Sequence, residues 1–560
     1  MKRITYILTI VLIVLFSSCS DSFLESKQYA SIDEEGYYNT PDAALKSVTN
    51  CYANMIPWGD WDYYLNRIEI GSNITDDADA GGSDANDRAD TKNIATGRPL
   101  TSNGELLNTW TRRFTGIFRC NSAIEGISKA KSLVAANGSA LSAETKSRYI
   151  SELKFLRAWY YFDLVTTFGP VPLITETPVP TQLPAKATIE NLKAQIIKDI
   201  DEAIADPNLP TNATTSDYGR INKYVANAFK ARVCLFFAGM EEQGKITGDA
   251  AADYSLALKS AKEVYDSHAF SLVPDYQNLF RGDYFAGDHA SELSLECIFT
   301  ILRKYVPGYM DIGYCTAVMY AGRGEVGGWG GNCPTRDFAE SFDARDPRKL
   351  FSVIESGDIF PNVDGKQITH SYKGYDNIHY QQSRKAFVPD KFRNGYSLGD
   401  IRSDWTPYYI RYADVILMYA ESLLKTGGDK QKVASLINEV RYRAFVTTSK
   451  KDGEAAYRAA EKTLVAIDDS YFQDNLAVKS SDDLLKAIKN ERRWELGLEG
   501  YRFLDLLRWG DYVTVMNAYN TKQPYANKGK LVSAKSWPFP IPQTDIDISN
   551  GVLVQHDNYK

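Results

Sequence analysis

The chain has 560 residues, of which 44% are apolar and 24% charged, the proportions of a globular protein. Its net charge is −7 and it contains no long Lys/Arg block, which excludes a nucleic-acid binder because phosphates demand a basic footprint. Aromatic residues are in excess at 12%, with 36 Tyr, and rigid amphipathic rings serve both helix packing and binding platforms.

The N-terminus, Met1-Lys2-Arg3 followed by an apolar run from Ile4 to Phe16, reads as a secretory signal. The run covers about 13 residues, against roughly 20 for a membrane span. It closes on Leu15-Phe16-Ser17-Ser18-Cys19, which looks like a bacterial lipobox, so residues 1–18 are expected to be removed and Cys19 to be acylated. Two or more acyl chains suffice for stable anchoring, so the membrane is met through a lipid anchor only. Six of the seven cysteines then remain. Cys51, Cys120 and Cys234 sit inside apolar helical patterns and are expected to be buried free thiols. Cys297, Cys315 and Cys333 are evenly spaced, but no histidine stands at ligand spacing around them, so no zinc site is expected.

Residues 19–273 form a first, helical region. From Leu106 to Ala130 an apolar stripe recurs at helical spacing through Trp110, Phe114, Ile117 and Ile124. Ser142 is placed to cap the next helix, which runs on to a stop at Phe168-Gly169-Pro170. Val171 to Leu183, with its prolines, reads as an extended crossing. Helical patterns resume at Asn191–Ala205, Tyr224–Met240 and Ala251–His268. In these helices Ala226, Ala228, Ala231 and Ala238 alternate with Phe229, Val233, Leu235 and Phe236, the packing signature of tetratricopeptide-like helix pairs.

Periodicity collapses over residues 274–405, where glycine and aromatics crowd together, as in Gly327-Gly328-Trp329-Gly330-Gly331. A long structureless stretch in a compact chain is usually functional or disordered, and this one is too aromatic for disorder. The third region, 406–560, returns to helices at Tyr408–Lys425, Lys432–Arg443, Ser481–Gly497 and Tyr501–Tyr512. The densest charge lies between Asn490 and Gly510. Glu491, Glu495 and Glu499 are four apart and are expected to share a helix face, and Arg492–Glu495 and Glu499–Arg502 are spaced to pair. Such neighbours do not frame the sugar-sized gap that a glycosidase holds between two carboxyls, and nearby arginines keep carboxylates ionised. The stretch therefore reads as a structural ion-pair network with no catalytic role.

Four ordered segments resemble the SusD/RagB family. They are Tyr37 to Ala44; Glu152 to Phe162 followed by Phe168-Gly169-Pro170-Val171-Pro172-Leu173; Ile410 to Glu421; and Asn490 to Gly510. The resemblance covers almost the whole chain beyond the signal. It implies an all-α fold, a scaffold of TPR-like helical pairs carrying an irregular, loop-rich ligand-binding subdomain. It also implies a non-enzymatic, lipid-anchored protein exposed on the outer membrane. Such a protein captures oligo- or polysaccharide and hands it to a SusC-like TonB-dependent transporter. RagB-like members take peptides, which keeps a peptide-binding role open. A surface glycosidase or peptidase lacks support, since H-E-x-x-H, G-x-S-x-G and any His-centred constellation are missing.

A neutral sugar offers C–H faces to rings and hydroxyls to Asp, Asn and Arg. Two regions supply those groups, and the ligand-binding candidates are Trp58, Trp61, Asp76, Asp77, Tyr314, Tyr320, Arg323 and Trp329. Trp329, flanked by glycines, is the foremost candidate for an exposed ring. No cofactor is expected. The acidic loop Asp76, Asp77, Asp79 and Asp84 could alternatively bind Ca²⁺, although it lacks the D-x-D-x-D-G register.

Overall fold

The computed structural model describes residues 38, 41–55, 69–130, 141–177, 184–214, 217–280, 295–300, 330–355, 359–361, 367–369, 381–385, 407–448, 466–522 and 532–560. Cys19, the expected signal at 1–18 and Cys315 lie outside them. The described residues form a tetratricopeptide-like array of helices. Seven precede the irregular region: α1 (Pro41–Ala53), α2 (Ala89–Ala95), α3 (Gly104–Lys129), α4 (Ala143–Phe168), α5 (Ile189–Ala205), α6 (Lys223–Glu242) and α7 (Ala250–Asp266). Six of six residues or more follow it: α8 (Tyr412–Lys425), α9 (Lys430–Tyr442), α10 (Leu484–Leu496), α11 (Arg502–Trp509), α12 (Tyr512–Asn520) and α13 (Gln543–Ile548). Among the described residues no helix is long and apolar enough to cross a membrane.

Local chemistry sets the helix ends. Ser142 accepts from the Thr145 amide and Asn222 from that of Val225, satisfying donors that the first turn leaves orphaned. Asn103, Thr188, Asp249, Asp429 and Asp483 cap α3, α5, α7, α9 and α10 in the same way. At the other end of α4, Gly169 takes φ +63°, a conformation that costs glycine nothing, and the chain turns against Pro538.

Successive helices pack on one another from α3 to α7, and α7 then packs directly on α8. The whole irregular region is thus looped out between two neighbouring members of the array. Small residues allow the close approach. Ala226, Ala228, Ala231 and Ala238 on α6 are fully buried, and between them Phe229 stacks on Trp159 of α4 with centroids 4.4 Å apart. Cys51, Cys120, Cys234, Cys297 and Cys333 are buried free thiols.

The sequence reading gave no strands, but among the described residues eight short ones occur, in four antiparallel pairs. β1 (Ala78–Asp79) pairs with β3 (Cys333–Pro334), and β2 (Cys297–Phe299) with β8 (Ile410–Arg411). β4 (Val353–Glu355) pairs with β7 (Gln381–Ser383), and β5 (Ile359–Pro361) with β6 (Gln367–Thr369). Elements of two or three residues leave no period-two pattern to read. The tail from Val532 covers one end of the array: Phe539 donates to the Thr167 carbonyl at 3.0 Å and Trp537 Nε1 to the Thr166 carbonyl at 2.8 Å.

Buried in this tail, His556 has its imidazole pushed from 6.5 down to about 4 by burial and by nearby Lys186. The unfolded chain therefore binds a proton there that the folded chain refuses, so its contribution to stability is present above pH 6.5 and lost as pH falls towards 4. His556→Gln is expected to flatten that part of the acid limb, read as the difference in urea midpoint between pH 7 and pH 4.5 for variant and parent.

Candidate functional site

Helix α10 sits at the centre of a buried ion-pair lattice. Its glutamates and arginines leave the helix in different directions, and each meets partners from distant segments. Glu495 and Glu491 both take Arg348, at 3.0 and 2.6 Å, and Arg348 also forks onto Asp346. Arg411, fully buried in β8, reaches Glu495 at 2.6 Å, Glu499 at 2.8 Å and Glu296 at 2.8 Å. Arg443, in the turn after α9, bonds Glu495 and Glu296. Lys385, at the end of β7, donates to Glu499 at 2.9 Å and lies over the Phe280 ring. Arg492 joins Asp414 of α8, at 2.8 Å, to Asp505 of α11, at 2.8 Å. Arg508 pairs with Asp505 and Glu421.

The pairs expected within one helix, Arg492–Glu495 and Glu499–Arg502, do not carry this network. Helix α10 ends at Leu496, and Leu498 and Gly500 both take positive φ, so Glu499 leaves the helix face. Electrostatically, burial alone would push Glu495 up, but Arg443, Arg411 and Arg348 together hold it well below the usual carboxylate range. Glu499 is likewise lowered against burial by Arg411 and Lys385, and Asp414 reaches about 2 against burial through Arg492 and Arg232. These carboxylates stay ionised, the opposite of what a proton donor needs.

The third branch of the lattice corrects the reading of Asp76 and Asp77 as ligand contacts. Both are buried. Arg502 grips Asp76 with two bonds of 2.9 Å, and Arg493 reaches Asp77 at 2.7 Å and Asp76 at 2.9 Å. The two arginines outweigh burial at Asp76 and lower it, while at Asp77 burial prevails and raises it. Both Asp76 oxygens and Asp77 Oδ1 thus face arginine, and both carboxylates are turned inward, away from the surface that a sugar would meet. Among the described residues, the acids of this loop form no cluster that could hold a metal ion. Asp79 is buried in β1, and exposed Asp84 accepts from the Asn86 and Asp87 amides.

What the lattice does is pin the ends of the ring-rich stretches. Through Asp76 and Asp77 it fixes β1, which pairs with β3 just after Trp329; the Thr335 amide donates to the Asp77 carbonyl at 2.9 Å. Gly81 meets Gly330 so closely that a Cβ on Gly81 would lie 1.7 Å from the Gly330 carbonyl oxygen. Asn332 donates to the Leu498 carbonyl at 2.9 Å. Through Arg411 the lattice fixes β8 against β2. There Thr300 Oγ1 donates to the Pro407 carbonyl at 2.8 Å, and Tyr409 Oη to the Met55 carbonyl at 3.2 Å. Trp159, Phe299 and Tyr409 form one ring cluster, with centroids 5.5 to 5.8 Å apart. In sequence, Met55, Thr300, Gly330, Lys385 and Pro407 border the stretches 56–68, 301–329 and 386–406. Trp58, Trp61, Tyr314, Tyr320, Arg323 and Trp329 lie outside the described residues.

The sequence reading did not single out Arg348, Arg443, Glu296 or Thr335. A usable signal was present for Arg411, Asp414 and Glu421, which interrupt the otherwise apolar run Ile410 to Glu421. Charges there require buried partners.

Two family models match the chain. One described as "Starch-binding associating with outer membrane" matches residues 22–235, and one described as "SusD family" matches residues 307–559. A SusD-like protein of Bacteroides ovatus is 24% identical over 524 residues, covering 91% of this chain and 83% of the relative. The starch-binding protein SusD of Bacteroides thetaiotaomicron is 24% identical over 463 residues, covering 74% and 73%. Surface glycan-binding protein A of Bacteroides thetaiotaomicron, solved with laminarihexaose, shares the fold with a TM-score of 0.69 at 20% identity, covering 93% of this chain and 100% of that one. A laminarin-binding SusD-like protein superposes with a TM-score of 0.67 at 21% identity, covering 93% and 100%.

Removing one partner of a buried, fully paired charge leaves the others uncompensated, at a cost of about 3–5 kcal/mol. Arg411→Met, which strips cations from Glu495, Glu499 and Glu296, is expected to lower stability by that amount in urea unfolding. A loss below about 1 kcal/mol would contradict the central place given to this residue.

Proposed function

Because the chain belongs to the SusD/RagB family, we propose that it is a cell-surface glycan-binding lipoprotein that passes oligo- or polysaccharide to a SusC-like TonB-dependent transporter. It binds glycan and does no chemistry on it, as fits a protein whose most conspicuous acids are locked into arginine pairs. The reading is carried by one observation: a rigid ionic frame gathers the ends of the ring-rich stretches. Glycan recognition needs rings held at fixed spacing, and ordering them in advance reduces the entropy lost on binding.

Trp58, Trp61, Tyr314, Tyr320, Arg323 and Trp329 are the proposed contacts, the rings stacking on C–H faces and Arg323 meeting hydroxyls. Acylated Cys19 is the proposed anchor in the outer membrane, with the bound glycan presented outward. The ligands named for the similar proteins, starch and laminarin, are the first to test.

In affinity gels containing laminarin or starch, the soluble chain is expected to be retarded. Trp329→Ala should lose at least tenfold in affinity with Tm unchanged within about 1 °C, and Trp61→Ala should act in the same direction. Full retention by both variants would remove these rings from the site, and sustained release of reducing sugar would end the non-enzymatic reading.

A further inference from the structure

An open apolar groove runs along α3. Trp110, Phe114 and Phe118 of α3 form its floor, Pro172 and Ile174 one wall, and Ile548 of α13 the other. Phe118 is 47% and Ile548 63% exposed, whereas most large apolar side chains of the described residues are buried. Asp545 is the one charged residue among its lining, and it already accepts from Trp110 Nε1 at 3.1 Å. Such a lining offers a sugar almost no partners for its hydroxyls, and it matches the charge-depleted core of a protein contact.

We propose that the chain's own N-terminal segment, residues 20–37, covers this groove through Phe23 and Leu24. Tyr38, the first described residue after that segment, is seated on Gly126 of the same helix, where a Cβ would come within 2.2 Å of its ring. On the α3 wheel Gly126 borders the strip that leads through Ser122 to exposed Phe118. Eight residues of helix, about 12 Å, separate Gly126 from Phe118. The fourteen residues from Leu24 to Tyr38 reach up to about 46 Å. Phe23-Leu24 is the only adjacent pair of large apolar residues between Cys19 and Gly36. Charge agrees as well: Asp21 and Glu25 flank the pair, and Lys186 is bridged to Pro172, a residue of the groove's wall. The match to the starch-binding family model begins at residue 22, so Phe23 and Leu24 belong to the matched unit. Docked in this way, the segment shortens the free tether between Cys19 and the helical array and fixes the side of the array from which it leaves.

The test uses the exported chain with Cys19→Ser, followed by amide exchange of peptides spanning 172–177 and 546–554. Phe23→Ser/Leu24→Ser is expected to speed exchange there severalfold, while Tyr29→Ser/Ile32→Ser leaves it unchanged. In a second variant, Leu24→Cys/Ile548→Cys, mild oxidation with copper–phenanthroline should close a disulfide within one chain. Unchanged exchange together with no intrachain cross-link overturns the proposal. An interchain cross-link, with a dimer by light scattering that Ile548→Asp disperses, also overturns it and assigns the groove to a second copy.

Discussion

The charges of α10 fasten α8, α9 and α11 to one another and to the irregular region. Burying an ion costs several kcal/mol even after relaxation, and only close, well-directed partners repay it. Here the repayment is complete by count: Arg348, Lys385, Arg411, Arg441 and Arg443 face Glu296, Asp346, Glu491, Glu495 and Glu499. On the next face Arg232, Arg492 and Arg508 meet Asp414, Glu421 and Asp505. These partners come from α6, the irregular region, α8, α9 and α11, so the lattice is satisfied only when all of them have arrived. Apolar packing alone tolerates slippage between helices, whereas a buried carboxylate with a designated arginine fixes register.

The helical half of the architecture was legible because its causes are local. Ser142 and the Phe168-Gly169 stop are read from neighbouring residues, and the start and end of α4 fall there. The Ala–aromatic alternation of α6 carries the tight packing directly. The ionic half was legible as to kind but not as to wiring. Spacing along Asn490 to Gly510 suggested pairs inside one helix, yet Arg502 takes Asp76, 426 positions away, and Arg492 takes Asp414, 78 away. Helical spacing says which side chains can meet on one helix; it carries no information about stronger partners brought in by the fold.

Asp76 and Asp77 show the same limit from the other side. A run of acids with glycines looks like a solvated, ligand-ready loop, and from sequence nothing distinguishes that from a loop folded inward onto two arginines. The eight strands were invisible for a simpler reason, their length. The ring-bearing candidates rest on composition, since what makes Trp or Tyr a platform and not core is exposure, and exposure is a property of the folded surroundings.

The direct seating of α7 on α8 has a consequence for how such a scaffold can change what it binds. Glu296, Arg348 and Lys385 pin the long excursion between those helices at three interior points, which divide it into segments that are closed separately. Closing a flexible loop grows dearer only logarithmically, about 0.6 kcal/mol for each doubling of length. Insertions or deletions between these pinned points are therefore cheap, with little cost to the helices beneath.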